Sequence, residues 1–125
     1  MIQAVTIVIQ QGDKFLVGKR SDWKSKAPGY WCPVSGKIES GESEEEAVVR
    51  EAMEEVGLEV KPLRKITTID SHDKTVRLHW WLVEILSGQA HLKNNEHSEI
   101  RWVTLSEMKQ LDPFFAEDLA IYQNL

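Results

Sequence analysis

This sequence predicts an α+β sandwich built on a mixed β-sheet, and three observations point to it. Short apolar runs of strand type, bounded by turn residues, occur in both halves of the chain. One long amphipathic segment with helix start and stop signals interrupts them. Strands and helices then follow without the regular alternation that a doubly wound parallel sheet requires. At 125 residues the chain fits one domain, spanning residues 1–125.

Taken in order, residues 4–9 and 15–18 are apolar strands around the Gln10-Gln11-Gly12-Asp13 turn and read as a hairpin. A polar loop over residues 21–30 carries Lys24, Lys26, Pro28 and Gly29. Residues 43–56 are helical: Ser43 and Glu46 have the spacing of a capping box, and Gly57 is placed to end the helix. Strand-like segments over residues 63–69 and 75–86 flank the Ser71-His72-Asp73-Lys74 turn. A further strand is expected at residues 99–103. Thr104 and Glu107 then form a second capping box before a short helix, and residues 115–123 form a closing helix.

Composition narrows the function classes. Hydrophobic residues make up 42% and charged residues 28%, as in ordinary globular domains, and the net charge is −5. That balance argues against a general nucleic-acid binder, while basic residues can still gather locally for a small phosphorylated ligand. The single cysteine, Cys32, excludes an internal disulfide framework and suits a reducing compartment. With no basic-then-apolar leader and no apolar run of membrane-spanning length, the sequence reads as soluble and cytoplasmic, without a membrane partner.

The helix beginning at Ser43 carries the chemistry. At about 100° per residue, Glu51, Glu54 and Glu55 fall within an arc of roughly 100°. Val48, Val49, Ala52, Met53 and Val56 occupy a different arc, expected to face the core, and Ala47 leaves room within the acidic stripe. A solvated acidic face explains Glu44, Glu45 and Glu46, because acids at a helix N-terminus are favoured by its dipole. It explains Glu51, Glu54 and Glu55 poorly. They lie toward the opposite end, and Glu51 and Glu55 form a like-charge i,i+4 pair costing roughly 0.2–0.5 kcal/mol. A hard divalent cation bound through oxygen offsets that cost, so the stripe reads as a metal site.

The pattern Gly36, Glu42, Arg50, Glu51, Glu54, Glu55, Gly57 and Leu58 resembles the Nudix box at every spacing: a glycine, five residues, a glutamate, seven residues, then Arg-Glu-aliphatic-x-Glu-Glu-x-Gly-aliphatic. Ala52 stands where the family usually has a larger aliphatic residue, and Val34-Ser35 replaces the usual Pro-Gly before the box glycine. The order of segments and the residues 95–102 are similar to the MutT-like branch. The resemblance implies a Nudix-type α/β/α sandwich and a metal-dependent pyrophosphohydrolase acting on a nucleotide-like diphosphate.

What the resemblance implies for individual residues follows. Glu51, Glu54 and Glu55 would bind Mg2+ or Mn2+, joined by the Ser35 carbonyl and Glu96, which lies six residues before Trp102 as in the MutT-like pattern. Glu99 is the rival for that position. Arg50 would brace the acids, with Glu42 as its partner, and Glu51 is the first choice for the base that activates water. Arg20 and Lys37 are the expected phosphate clamps. Trp31, Trp81 and the stretch containing Phe115, Glu117 and Asp118 are candidates for the base end of the substrate. Trp80 and Trp81, adjacent in a strand, must face opposite sides.

A nucleoside triphosphate pyrophosphohydrolase leads. ADP-ribose, dinucleoside polyphosphates and RNA 5′ ends remain alternatives, as does a non-enzymatic Nudix-fold regulatory module. Other nucleic-acid partners are not expected, and the chain is read as a monomer or homodimer. The four histidines lack zinc-ligand spacing, and the stretch from Gly29 to Lys37 lacks the gap and hydroxyl residue of a phosphate loop.

Overall fold

The computed structural model describes residues 1–125 and has the element order β1 Ile2–Gln11, β2 Lys14–Arg20, β3 Trp31–Cys32, β4 Val34–Lys37, α1 Glu44–Val56, β5 Glu59–Asp70, β6 Val76–Ser87, β7 His97–Val103, α2 Leu105–Met108 and α3 Ala116–Gln123. β1 runs parallel to β6 and antiparallel to β4, while β6 pairs antiparallel with β5. The distal end of β1 turns into β2, which carries β3 and β7 on its two sides. The expected mixed sheet is therefore present.

β1 explains why this sheet has two covered faces. Residues 4–9 of β1 are all buried, which a strand with one wet face would not allow. Val5, Ile7 and Ile9 pack with Leu16, Val34, Val60 and Val83 against Ala47, Val48, Ala52 and Val56 of α1. Val8 lies on the other face with Phe15, Val17, Trp80 and Val103, beneath Met108 of α2 and Tyr122 of α3. Truncating a fully buried residue such as Leu16 to alanine would cost about 2–5 kcal/mol. The result is an α/β/α sandwich, as the sequence implies.

α1 starts and stops where its signals place it. Ser43 and Glu46 close a reciprocal capping box, and Gly57 ends the helix in the left-handed region. Thr104 and Glu107 cap α2 in the same way. The buried arc of α1 is rotated from the expected one, however. Val49 and Met53 are exposed, while Ala47, Glu51 and Glu55 turn inward beside Val48, Ala52 and Val56. The helix is seated with its acidic flank under cover.

Three further departures have local causes. β3 and β4 are not legible as strands because they are short and contain Ser35-Gly36; β1 and β2 impose their extended form by pairing. β5 begins at Glu59 rather than near Leu63, and a register shift between Pro62 and Arg64 accommodates the proline. β7 begins at His97, and its irregularity opposite Lys19 and Arg20 leaves Ser98 outside the ladder. No helix is long and apolar enough to cross a membrane.

Candidate active site

Arg50 organises the acidic flank of α1. Its Nε and Nη2 donate to the two oxygens of Glu42 at 2.7 and 2.9 Å, the expected pairing. Its Nη1 donates to Glu51 Oε1 at 2.8 Å and to Glu54 Oε2 at 3.1 Å, and Nη2 also reaches the Lys37 carbonyl at 2.9 Å. One guanidinium thus ties the box loop to the helix with bidentate geometry that lysine could not reproduce. The bond from Arg50, helped by the Glu39 amide, holds the Glu42 carboxyl down at about 2.

Glu55 is the unusual group. It is buried, and its Oε2 has no hydrogen-bond partner. Burial, reinforced by the charges of Glu51 and Glu96, pushes its pKa up to about 8. Burial also raises the Glu51 carboxyl above its ordinary value, against the pull of Arg50. Gly36 makes the close approach possible: a Cβ there would overlap the Glu51 carboxylate. The Ser35 backbone lies beside Glu55, so β4 and α1 face each other across the acids.

Glu96 precedes β7 and joins this group from the other side, close enough to raise Glu55. Its carboxylate pairs with Lys24 Nζ. Glu99 instead lies within β7 and pairs with Arg101 at 2.6 Å. Of the two rivals, only Glu96 is brought to the box helix.

Glu51, Glu55 and Glu96 offer carboxylate oxygens, the donors that hard divalent ions take. The orphaned, buried Glu55 oxygen fits such an ion, and Gly36 lets the Glu51 carboxylate close against β4 beside it. Glu54 stands at the exposed rim, where Arg50 engages it. No three acidic, histidine or cysteine side chains converge on one point; Arg50 pairs with Glu51 and Lys24 with Glu96.

The remaining candidates divide. Arg20 donates from Nε to the Lys26 carbonyl at 3.0 Å and lies near Cys32, whose thiol burial pushes up to about 12 against the pull of Arg20. Lys37 is exposed at the end of β4, beside the Arg50 cluster. Trp31 offers no open face: it is buried against the second core, with the Arg101 guanidinium 4.8 Å from its ring centre. Trp80 and Trp81 do face opposite sides, but Trp81 donates to Glu44 at 2.9 Å and braces the start of α1. Glu117 is exposed and points toward His72, 3.8 Å away.

Sequence reasoning left one feature near the acids unseparated from its neighbour and passed over another. Asp118, next to Glu117, is the partly covered acid of α3; burial, with Glu117 adding to it, raises it to about 7. It and Glu55 both lie near enough for their charges to act on the Cys32 thiol. The other is the pair Trp23 and Lys24, which meets Asn95 and Glu96. Helix spacing could not reveal it, since both partners lie in loops; the proximity of Trp23 to two lysines in a polar loop was the only signal.

Comparison with known proteins agrees with this geometry. The profile of the NUDIX domain matches residues 2–125. The chain is similar to the CTP pyrophosphohydrolase of Escherichia coli (strain K12), 32% identical over 115 residues that cover 88% of this chain and 81% of that protein. It is similar to the nucleoside triphosphatase NudI of Enterobacter sp. (strain 638), 32% identical over 117 residues covering 84% and 83% of the two chains. Its fold superimposes on the MutT protein of Methanosarcina mazei Go1 with a TM-score of 0.83 at 23% identity, over 98% of this chain and 91% of that one. A complete box, its acids gathered against β4 and a family match over nearly the whole chain have one reading: this protein belongs to the Nudix family and is a hydrolase acting on acid anhydrides.

Proposed function

We propose that this chain is a divalent-metal-dependent nucleoside triphosphate pyrophosphohydrolase. The observation that carries the metal requirement is Glu55, a buried carboxylate with an unpartnered oxygen between Glu51 and Glu96. The names of the CTP pyrophosphohydrolase and the nucleoside triphosphatase among its relatives support the substrate class. A dinucleoside polyphosphate is the second reading, supported by similarity to an asymmetrical bis(5′-nucleosyl)-tetraphosphatase of Sus scrofa, 29% identical over 68% of this chain and 63% of that one.

Glu51, Glu54, Glu55, Glu96 and the Ser35 carbonyl would hold Mg2+ or Mn2+. When bound, the ion neutralises the diphosphate and makes a water acidic enough to attack phosphorus. Glu51 would be the base that accepts the proton of the attacking water. Its Oε1 is fixed by Arg50, its Oε2 is free of that bond, and burial raises its proton affinity above that of an ordinary carboxylate. A new phosphorus–oxygen bond would form as the bond from that phosphorus to the α–β bridging oxygen breaks, the leaving group being pyrophosphate or nucleoside monophosphate according to which phosphorus is attacked. Arg20 and Lys37 would steady the phosphates, and the stretch with Phe115, Glu117 and Asp118 is the candidate for the base end. The enzyme would act in the cytoplasm.

A panel of nucleoside triphosphates, ADP-ribose, dinucleoside polyphosphates and capped RNA, with magnesium and identified products, tests this. Monophosphate plus pyrophosphate from a triphosphate is the expected result. Cleavage confined to another member of the panel overturns the substrate assignment.

A further inference from the structure

Two cations face the acids, and they are held very differently. Arg50 has acceptors on Glu42, Glu51 and Glu54 and on the Lys37 carbonyl, so it cannot leave without orphaning the box loop. The ammonium of Lys24 meets a single carboxylate, Glu96. That pair is not needed to hold the two loops together. Ser21 Oγ and Trp23 Nε1 both donate to the Asn95 carbonyl, at 2.6 and 3.0 Å, and the Ser21 amide donates to the Glu96 carbonyl at 3.1 Å. These three bonds fix the backbones whichever way the Lys24 side chain points.

Lys24 nevertheless sits in the site. Its charge bears on Glu55 as well as on Glu96, and its side chain is 20% exposed. Oxygen from Glu96 cannot serve a divalent ion fully while an ammonium occupies the same carboxylate. A single positive charge is then exchanged for a double one. The freed ammonium remains tethered, because Ser21 and Trp23 stay bonded to Asn95, and the anion that next enters is a polyphosphate.

We propose that Lys24 is an exchangeable counter-ion: it guards Glu96 in the metal-free protein, yields the carboxylate to the divalent ion, and then binds the substrate's phosphate chain. The proposal rests on the metal-dependent reading above, yet the two can fail separately. It makes Lys24 a competitor of the metal and a helper of the substrate, opposite effects that a simple loop brace would not produce.

The test uses Lys24→Met, with Lys24→Gln as a second variant, and Lys26→Met as a control whose native partners are Thr75 and Asp73. Manganese is titrated into substrate-free protein and free ion is read by electron paramagnetic resonance; KM and kcat are then measured at saturating metal. Both Lys24 variants should bind manganese about three- to tenfold more tightly, from loss of a competing ion pair. Their KM for nucleoside triphosphate should rise about tenfold, with a smaller change in kcat. The control should match wild type in both. Unchanged or weaker manganese binding by the Lys24 variants overturns the exchange, and tighter binding with an unchanged KM overturns the transfer to phosphate. Wild-type protein that binds no manganese removes the metal reading itself, and this proposal with it.

Discussion

At the scale of single residues, Glu55 is the most telling group, and its burial has consequences of definite sign. A carboxyl that ionises near 4.5 in the unfolded chain and at about 8 in the fold takes up a proton on folding between those values. The metal-free protein should therefore lose stability as pH rises through that window, then level off above it. Glu55→Gln removes the ionisable group, so its melting temperature should equal or exceed that of wild type at pH 8 without metal, while turnover falls by about 100-fold or more. Near-normal activity in that variant would reduce Glu55 to part of a covered acidic face. Glu96→Gln should lose a comparable amount and Glu99→Gln little, since only Glu96 reaches Glu55; a larger loss for Glu99→Gln in steady-state assays would reverse the assignment. The acids on α1 were legible because a fixed spacing on a helix fixes their mutual direction. Glu117 and Asp118 were not separable in the same way: neighbours on α3 point to different environments, and only packing decides which is covered.

At the scale of elements, the helix ends were legible and the short strands were not. Ser43 with Glu46 and Thr104 with Glu107 cap through bonds within four residues of chain, so the sequence contains both partners. β4 is extended because residues 4–7 of β1 lie beside it, which no window around Ser35 can show. Val49 and Met53 point outward because α1 turns its acidic flank under the β4 strand, and periodicity alone could not weigh buried glutamates against exposed apolar residues. The junction of β2 with β7 gives this scale its own test. Gly18 lets the buried His97 ring lie across β2, and a Cβ there would come within 2.6 Å of that ring. Gly18→Ala should cost about 1–3 kcal/mol in denaturant unfolding. Because His97 follows Glu96 directly, its manganese affinity should also fall. A variant as stable as wild type would show that β7 can shift without loss.

At the scale of the whole molecule, the sheet is a rigid platform with two cores, and the chemistry lies along one flank of it. α1 is bound to that platform through Ala47, Val48, Ala52 and Val56, none of which is a metal donor, so the fold should survive removal of an ion. The account's central claim is that carboxylates gathered by a metal-independent fold become a diphosphate hydrolase when a divalent ion joins them. The most direct measurement is turnover of a nucleoside triphosphate during chelator titration, with circular dichroism recorded on the same samples. Activity should vanish on chelation and return with added magnesium or manganese, while the spectrum stays unchanged. Full turnover in excess chelator would contradict the claim.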